Sequence, residues 1–210
     1  MARRGAYAKG IAKRDEILTR ALEVIAQEGY DGASVKQLAA AVELSEAGLL
    51  HYFGSKDELF TAILRKRDEA DAPQLIAEAQ GARALTIDEI REIYIGVVRH
   101  NSEVPGLVQL FSRVATDACD PAHPAHEYFT QRSAGLRATI AGAIERAQAE
   151  GAIAPDVDAE ALARLFQAAS DGLQLQWMLD PDVDMAATVD VLFTALIGAR
   201  RAPAAEGGGD

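Results

Sequence analysis

Apolar residues recur at the spacing of an α-helix along almost the whole chain, and this periodicity limits the folds available to it. Between Val35 and Val42 the apolar side chains fall at positions i, i+3, i+4 and i+7, which places them on one helix face. Ser34 and Gln37 have the spacing of a capping box that begins this helix. No segment alternates polar and apolar residues as a β-strand does. The sequence therefore predicts an all-α fold of about nine helices.

The composition excludes several classes of protein. The 210 residues, 49% hydrophobic and 25% charged, are enough to form a buried core. No apolar run approaches the roughly 18 residues of a membrane span, and the basic N-terminus leads into no apolar secretory segment. The single cysteine, Cys119, forms no internal disulfide, which fits a reducing compartment. We therefore exclude a membrane protein, a secreted disulfide scaffold and a fibrous rod, and expect a cytoplasmic location.

The net charge of −11 is distributed unevenly along the chain. Residues 1–70 carry 11 basic and 11 acidic side chains, whereas residues 71–210 carry 10 basic and 21 acidic ones. The first 14 residues contain five basic side chains and no acidic one. Phosphates are therefore attracted to the N-terminal end and repelled by the remainder. The basic segment suits either a contact with nucleic acid or a solvated arm.

Three short helices are closely spaced within residues 11–53, and a tight turn joins the last two. This is the layout of a helix-turn-helix, in which the second helix of the pair enters the major groove of DNA. Similar helix pairs also occur in bundles that bind no DNA. The pattern alone therefore leaves both interpretations open.

The residues of this region are more specific than its layout. The segments SVKQLA (34–39), VELS (42–45) and LHYFGSKDEL (50–59) resemble the DNA-binding domain of the TetR family of transcriptional regulators. The resemblance extends over about 60 residues. It implies an all-helical homodimer that binds operator DNA through its N-terminal domain and a small-molecule effector through its C-terminal domain.

The resemblance also implies how the chain is divided. A basic arm at residues 1–10 precedes a DNA-binding domain at 11–71, whose helix-turn-helix motif covers 34–53. Residues 72–201 are expected to form the domain for effector binding and dimerisation. The tail at 202–210 has three glycines and no large apolar side chain, so we expect it to be disordered.

The residues that contact DNA are expected at the polar positions of the motif. Ser34 can both cap its helix and donate to a phosphate, and Lys36 points away from the apolar stripe, where it suits a phosphate or a guanine edge. A plain cap and an ordinary surface lysine are the alternatives. Gly48 is expected to let the recognition helix approach the groove closely. The complete predicted set is Ser34, Lys36, Gln37, Ser45, Glu46, Gly48, His51, Tyr52 and Lys56, of which the last matches the phosphate-binding lysine of the family.

Two positions depart from the family pattern. Leu50 stands where the family usually has tyrosine, which removes one hydroxyl contact with phosphate. Glu46 places a carboxylate at the start of the recognition helix, where it can accept from a cytosine amino group or repel phosphates. Together with the charge of −11, these departures favour one alternative, a helical effector-binding or protein-interaction dimer that has lost specific DNA binding.

The last two predicted helices carry apolar stripes that include small residues. In the TetR family the final two helices form the dimer interface, and these stripes suit that role, although an intramolecular core is the alternative. The predicted interface residues are Leu162, Leu165, Ala169, Gly172, Val189, Leu192, Phe193 and Leu196.

An effector cavity is expected between the helices of residues 86–180, because small molecules usually bind inside helical bundles. The candidate lining residues are Tyr94, Phe111, Arg113, His126, Phe129, Phe166, Gln174 and Trp177. Each large apolar side chain among them suits a plain core equally well.

Signatures of catalysis are missing from the sequence. It contains no glycine-rich phosphate loop, no nucleophile elbow and no C-x-x-C motif. His123 and His126 could hold a divalent metal with nearby carboxylates, but Pro124 makes this segment a loop, which favours solvated histidines. We therefore expect no enzyme, no cofactor and no metal. The expected function is a repressor that an effector releases from a palindromic operator.

Overall fold

The computed structural model describes residues 2–73, 77, 81 and 84–198, and the side chains of residues 9–195 within those ranges. This part of the chain contains nine α-helices and no strand, which confirms the predicted all-α fold. The helices are α1 (Ala2–Glu28), α2 (Val35–Ala41), α3 (Glu46–Phe53), α4 (Lys56–Asp71), α5 (Ile87–Glu103), α6 (Pro105–Asp117), α7 (His126–Ala149), α8 (Ala159–Leu179) and α9 (Met185–Gly198). The predicted tail at 202–210 and the side chain of Leu196 lie outside the described residues.

Helix α1 begins earlier than the apolar pattern suggested. The periodicity predicted a helix from about Ile11, whereas the structure continues it back to Ala2. The segment predicted as a basic arm is therefore helical in its described part. Ile11, the first residue of the predicted helix, is 53% exposed and contributes little to the core. Across the described ranges, no helix combines the length and the apolar character that crossing a bilayer requires.

Serine side chains fix the starts of the short helices in the N-terminal region. The Ser34 hydroxyl accepts a hydrogen bond from the Gln37 N–H at 3.3 Å, and the Gln37 side chain accepts one from the Ser34 N–H at 3.1 Å. Ser45 likewise accepts from the Gly48 N–H at 3.0 Å. Because such caps satisfy backbone N–H groups that have no partner within the helix, they define where α2 and α3 begin.

The turn between α2 and α3 depends on one residue in the left-handed region. Glu43 has a φ of 57°, and it is the one non-glycine residue with positive φ in the described part of the chain. The Leu44 N–H then donates to the Ala39 carbonyl at 2.9 Å, which closes the end of α2. Leu38 and Leu49, 2% and 0% exposed, are buried in the same apolar cluster. The opposite face of α3 is therefore exposed to solvent.

The buried apolar residues form two clusters. The first contains residues of α1 to α4 together with Leu110 of α6 and Tyr128 of α7, and the second contains residues of α5, α7, α8 and α9, such as Ile90 and Phe166. Helix α6 belongs to both, because its Val108 is buried in the second cluster. Helix α6 therefore joins the helix-turn-helix region to the C-terminal helices.

Glycine is required where α6 passes the end of α1. A Cβ atom at Gly106 would lie 2.5 Å from the Ile25 carbonyl oxygen and 2.8 Å from the Gly29 Cα. Both neighbours are backbone atoms, so no side-chain rotation could relieve the overlap. The absence of a side chain at Gly106 thus sets how closely α6 approaches α1.

Candidate DNA-binding surface and ligand cavity

Helix α3 presents polar side chains on the face opposite its buried contacts. Leu49 and Phe53 are 0% and 6% exposed, whereas His51 on the other face is exposed. The predicted DNA-contacting residues lie at α2, at α3 and in the first turn of α4. Ser34, Lys36, Gln37, Ser45, Glu46, His51 and Lys56 are exposed there, and Gly48 and Tyr52 are half-buried.

Arg14 of α1 holds the end of α3 in place. Its Nη1 donates to the Tyr52 carbonyl at 2.9 Å, and its guanidinium lies 4.6 Å from the centre of the Phe53 ring. The Lys56 ammonium group also lies over an aromatic ring, 5.3 Å from the centre of Phe60. From the sequence, Arg14 was identified only as one of the five basic residues among the first 14. No local pattern marks its contact with a helix 38 residues later.

Two positions in α3 have structural roles beside those expected from sequence. A Cβ atom at Gly48 would lie 3.2 Å from the Ser45 hydroxyl oxygen, so glycine also leaves room for the helix cap. A close approach of Gly48 to DNA stays a prediction. Leu50, which replaces the usual tyrosine of the family, is half-buried against the first apolar cluster.

A cavity of about 470 Å³ lies between α4, α5, α7 and α8. A more open cavity of about 570 Å³ lies next to it, between α6, α7 and α8. The first is lined by Tyr94, Phe111 and Gln174 from the predicted effector set, and the second by Phe111, His126, Phe129 and Gln174. Because Phe111 and Gln174 line both, the two spaces adjoin. Five of the eight predicted effector residues are therefore brought together here.

The other three predicted effector residues lie elsewhere. Phe166 is 1% exposed and packs against Phe193 with ring centres 4.1 Å apart, so it belongs to the core. Trp177 lines a separate surface groove beside α9. The Arg113 guanidinium lies 4.5 Å from the Tyr30 ring centre, facing the helix-turn-helix region. Helical periodicity could not distinguish these surroundings, because each depends on a partner from a distant segment.

Asp68 forms an ion-pair network at the wall of the first cavity. Arg67 Nη2 and Arg132 Nε each lie 2.7 Å from its carboxylate oxygens, and the Tyr128 hydroxyl donates to it at 2.6 Å. Burial alone would raise the pKa of Asp68, but Arg132, Arg67 and the hydrogen bond from Tyr128 together lower it below its usual value. Asp68 is therefore a charged link between α4 and α7.

The other polar groups of this cavity are less well partnered. Within the described part of the chain, the buried side-chain oxygens of Asn101 and Gln174 accept no hydrogen bond. Asp71 Oδ2 lies 3.9 Å from Arg67 Nε, and Asp71 Oδ1 lies 3.7 Å from His100 Nε2. Burial raises the pKa of Asp71 despite these neighbours. The cavity wall therefore offers amide and carboxylate oxygens as acceptors to a ligand.

Helices α8 and α9 expose large apolar side chains. Leu165, Leu175, Leu179 and Val191 have exposed fractions of 58%, 55%, 88% and 67%. By contrast, Leu162, Val189 and Phe193 from the predicted dimer interface are buried in the core of their own chain. Their side of each helix is already packed, so they are unavailable to a partner. Leu165 is exposed, and Ala169, Gly172 and Leu192 are half-buried.

His123, which lies in the loop as expected, and His126, which instead begins α7, both contact nearby backbone atoms. His123 Nδ1 accepts from the Ala125 N–H at 3.2 Å, and His126 Nδ1 lies 2.9 Å from the Ala118 carbonyl oxygen. Among the residues with described side chains, no three histidine, cysteine or acidic residues converge as metal ligands would. These ring nitrogens thus help to hold the connection between α6 and α7.

Known families match both parts of this chain. Residues 17–63 match the model of bacterial regulatory proteins of the tetR family, and residues 122–199 match the C-terminal domain of BetI-type transcriptional repressors. The all-helical fold with a solvent-facing α3 defines a helix-turn-helix regulator of the two-domain kind. The chain belongs to the TetR family.

Individual relatives match over different lengths. The HTH-type transcriptional repressor AcnR of Corynebacterium efficiens is 37% identical over 70 residues, which are 33% of this chain and 37% of that protein. The HTH-type transcriptional repressor Rv1474c of Mycobacterium tuberculosis is 29% identical over 169 residues, 77% of this chain and 80% of that one. The match thus spans only about a third of the length of the first curated relatives.

Solved structures resemble the chain over most of its length. The transcriptional regulator FadR of Bacillus subtilis, solved in complex with stearoyl-CoA, superposes with a TM-score of 0.66 at 15% identity. The superposition covers 86% of this chain and 96% of FadR. A likeness at this low identity supports the fold alone.

Proposed function

We propose that this protein is a transcriptional repressor that binds operator DNA as a homodimer and is released by a small-molecule effector. The observation that carries the proposal is the exposure of most of the predicted DNA-contacting set at α2, α3 and the start of α4, with Leu49 and Phe53 holding the opposite face of α3 in the core. Curated relatives named as HTH-type transcriptional repressors support the same function. A protein acting on bacterial DNA would work in the cytoplasm, as the sequence led us to expect.

The proposed contacts divide into positioning and base-reading groups. Lys36 and Lys56 would bind phosphates and fix the orientation of the domain, because phosphate contacts carry most of the sequence-independent affinity. His51 and Tyr52 would face the major groove from α3. Glu46 at the start of α3 would accept from a cytosine amino group and so contribute to operator choice.

A second copy of the chain would supply the other half of the interface with DNA. Two recognition helices about 34 Å apart can read both halves of a palindrome, whereas one helix binds weakly. The apolar side chains that α8 and α9 expose, Leu165 among them, are suited to this contact. The half-buried Ala169 and Gly172 are small enough to allow close approach of helices from a partner.

The cavity and α4 are adjacent, which suggests how an effector would act. Asp68 and Asp71 of α4 line the cavity, and α4 begins beside the DNA-contacting Lys56. An effector that binds better when α4 is displaced would shift the dimer to a spacing unsuited to the operator. Equal affinity for both states would shift nothing.

Selection of bound duplexes from a random DNA pool, followed by anisotropy titration at several salt concentrations, tests this function. We expect an enriched palindrome, a steep loss of affinity with salt, and at least tenfold weaker binding for His51→Ala. Arg99→Ala, an exposed cation on α5 outside both the predicted DNA-contacting set and the proposed contact with a second copy, is the control and should bind normally. Failure to enrich any sequence would overturn the repressor proposal and favour a dimer that binds effectors without DNA.

A further inference from the structure

We propose that the 470 Å³ cavity takes a cationic amphipathic ligand, an organic ammonium ion with an apolar body. The inference rests on the proposed effector role of this cavity and specifies the chemistry of the effector. The volume lies within the range usual for small-molecule sites. Three features of the lining, its charges, its unpaired acceptors and its apolar walls, point to this class.

The positive charges of the cavity are already engaged. Arg67 and Arg132 both bind the Asp68 carboxylate at 2.7 Å, and both guanidinium groups lie 4.9 Å from the centre of the Phe111 ring. Each guanidinium therefore shares its charge with the Asp68 carboxylate in the cavity wall, and an anionic ligand would have to compete with Asp68 for that charge.

The remaining charged side chains of the lining are carboxylates. Asp71 and Asp171 add two negative charges, so the cavity carries one net negative charge when Arg67, Arg132 and Asp68 are included. In the part of the chain that the structure describes, no lysine or arginine nitrogen forms an ion pair with Asp171. Asp171 also lines the adjoining open cavity. It is thus placed to meet a cation that enters from that side.

Three buried polar atoms of the cavity form no hydrogen bond within the described residues: Ser170 Oγ is a hydroxyl, which can donate or accept, and the other two are amide oxygens, which only accept. Asn101 Oδ1 and Gln174 Oε1 are buried and accept no hydrogen bond from a described residue. Asn101 is 7% exposed. A buried acceptor without a donor is unfavourable, so a ligand that brings N–H groups would gain from meeting both oxygens. An ammonium group provides such donors and a positive charge, whereas an alcohol provides one donor and a carboxylate none.

The rest of the lining is apolar and suits a hydrocarbon body. Val97, Val98 and Leu136 line the cavity together with the ring of Tyr94. Tyr94 is 8% exposed, and its ring packs at an edge angle against Phe193, so this wall is anchored in the second core. Burial of an alkyl chain against this wall would add affinity with each methylene until the space is filled.

Isothermal titration of the full chain with three homologous series tests the inference. The probes are primary alkylammonium ions, alkyl carboxylates and alkyl alcohols, from butyl to decyl. We expect the ammonium ion to bind about tenfold or more tightly than the other two at equal chain length. Its affinity should rise with chain length and then fall. A carboxylate or alcohol that binds as tightly as the ammonium ion would overturn the inference, and so would the absence of binding in all three series.

Paired variants locate the head group. Asp171→Asn should weaken ammonium binding about tenfold, whereas Asp156→Asn, an exposed loop carboxylate outside both cavities, should leave it unchanged. Gln174→Glu adds a carboxylate at the same wall and should tighten binding. Unchanged affinity in both cavity variants would contradict the assignment.

The operator measurement separates this inference from the proposed function. Binding of the chain to its selected duplex is measured without any ligand present. A chain that binds the duplex but none of the ammonium ions would overturn the ligand class and leave the repressor function supported. A chain that binds an ammonium ion but no duplex would overturn the repressor function and support the ligand class.

Discussion

The polar contacts around α2 and α3 join residues that are close in sequence, whereas those around the cavity join residues that are far apart in sequence. Around α2 and α3 the polar contacts are local, since Ser34 bonds Gln37 and Ser45 bonds Gly48, each within three residues. Around the cavity they are distant, since the side chain of Arg132 meets that of Asp68 across 64 residues of sequence. Most of the surface groups are exposed, whereas the polar cavity groups range from the buried Arg67 and Asn101 to the half-buried Asp68 and the exposed Asp171. We therefore expect surface substitutions to change binding with little effect on stability, and cavity substitutions to change stability and regulation together.

Asp68→Asn should be the most destabilising substitution at the cavity. It leaves Arg67 and Arg132 without their shared carboxylate, and breaking a buried pair costs about 3–5 kcal/mol. The Asp68 side chain is 19% exposed, so we expect a loss of about 2–3 kcal/mol in the free energy of unfolding, measured by urea denaturation. Asp156→Asn is the matched control. Denaturation midpoints that coincide for the two variants would contradict the role of Asp68.

The contribution of Asp68 should depend on pH in a defined direction. Its pKa is lowered in the folded chain, so its stabilising effect is complete above the unfolded value of about 3.9. The effect is lost as pH falls through the folded pKa. The stability difference between the wild type and Asp68→Asn should therefore be constant near neutral pH and shrink in acid. A difference that grows as the solution is acidified would have the wrong sign.

Gly106→Ala tests the approach of α6 to α1, which connects the two regions. The added Cβ would overlap backbone atoms of Ile25 and Gly29, and overpacking costs about 1–3 kcal/mol. We expect about 2 kcal/mol, measured as a lower melting temperature. Gly96→Ala in α5 is the control, because a Cβ there has no neighbour within 4 Å in the described structure and should stabilise the helix slightly. Equal effects of the two changes would mean that the approach at Gly106 can relax.

Lys36→Ala, a substitution on α2, should weaken DNA binding without changing the stability of the fold. Loss of one phosphate contact should weaken the operator complex about uniformly across sequences and reduce the salt slope by about 1. The melting temperature should stay within the error of the wild type, because Lys36 is exposed. Anisotropy titrations at several salt concentrations give both values. A change in sequence preference with an unchanged slope would instead make Lys36 a base-reading residue.

Ser34→Ala should destabilise the fold less than Asp68→Asn or Gly106→Ala does. It removes the side-chain acceptor of the capping box, which costs about 1 kcal/mol. Ser34→Gly is the matched variant and should cost only a few tenths of a kcal/mol, because glycine is a better cap than alanine. Chemical denaturation ranks the two. An alanine variant as stable as the glycine variant would show that the capping box contributes little here.

The same difference in range explains what could be predicted from sequence. The helix start at Ser34 was predictable, because a capping box is complete within four residues. The exposed position of His51 followed from a motif that is equally compact. Arg113 was predicted to line the cavity but packs on Tyr30. An amphipathic pattern shows which face of a helix a side chain occupies, but it does not show which other helix covers that face. The Asp68 network escaped prediction for the same reason.

Helix α6 packs in both apolar clusters, and this limits how the DNA-binding domain can be separated from the rest of the chain. The sequence places the boundary of the DNA-binding domain at residue 71, yet Leu107, Leu110 and Phe111 of α6 are buried in the cluster formed by α1 to α4. A fragment that stopped at residue 71 would expose the apolar surface those side chains cover. The helix-turn-helix therefore has no self-sufficient core to exchange with other proteins. Evolutionary shuffling of this DNA-binding module would have to carry α6 along or replace it with an equivalent helix.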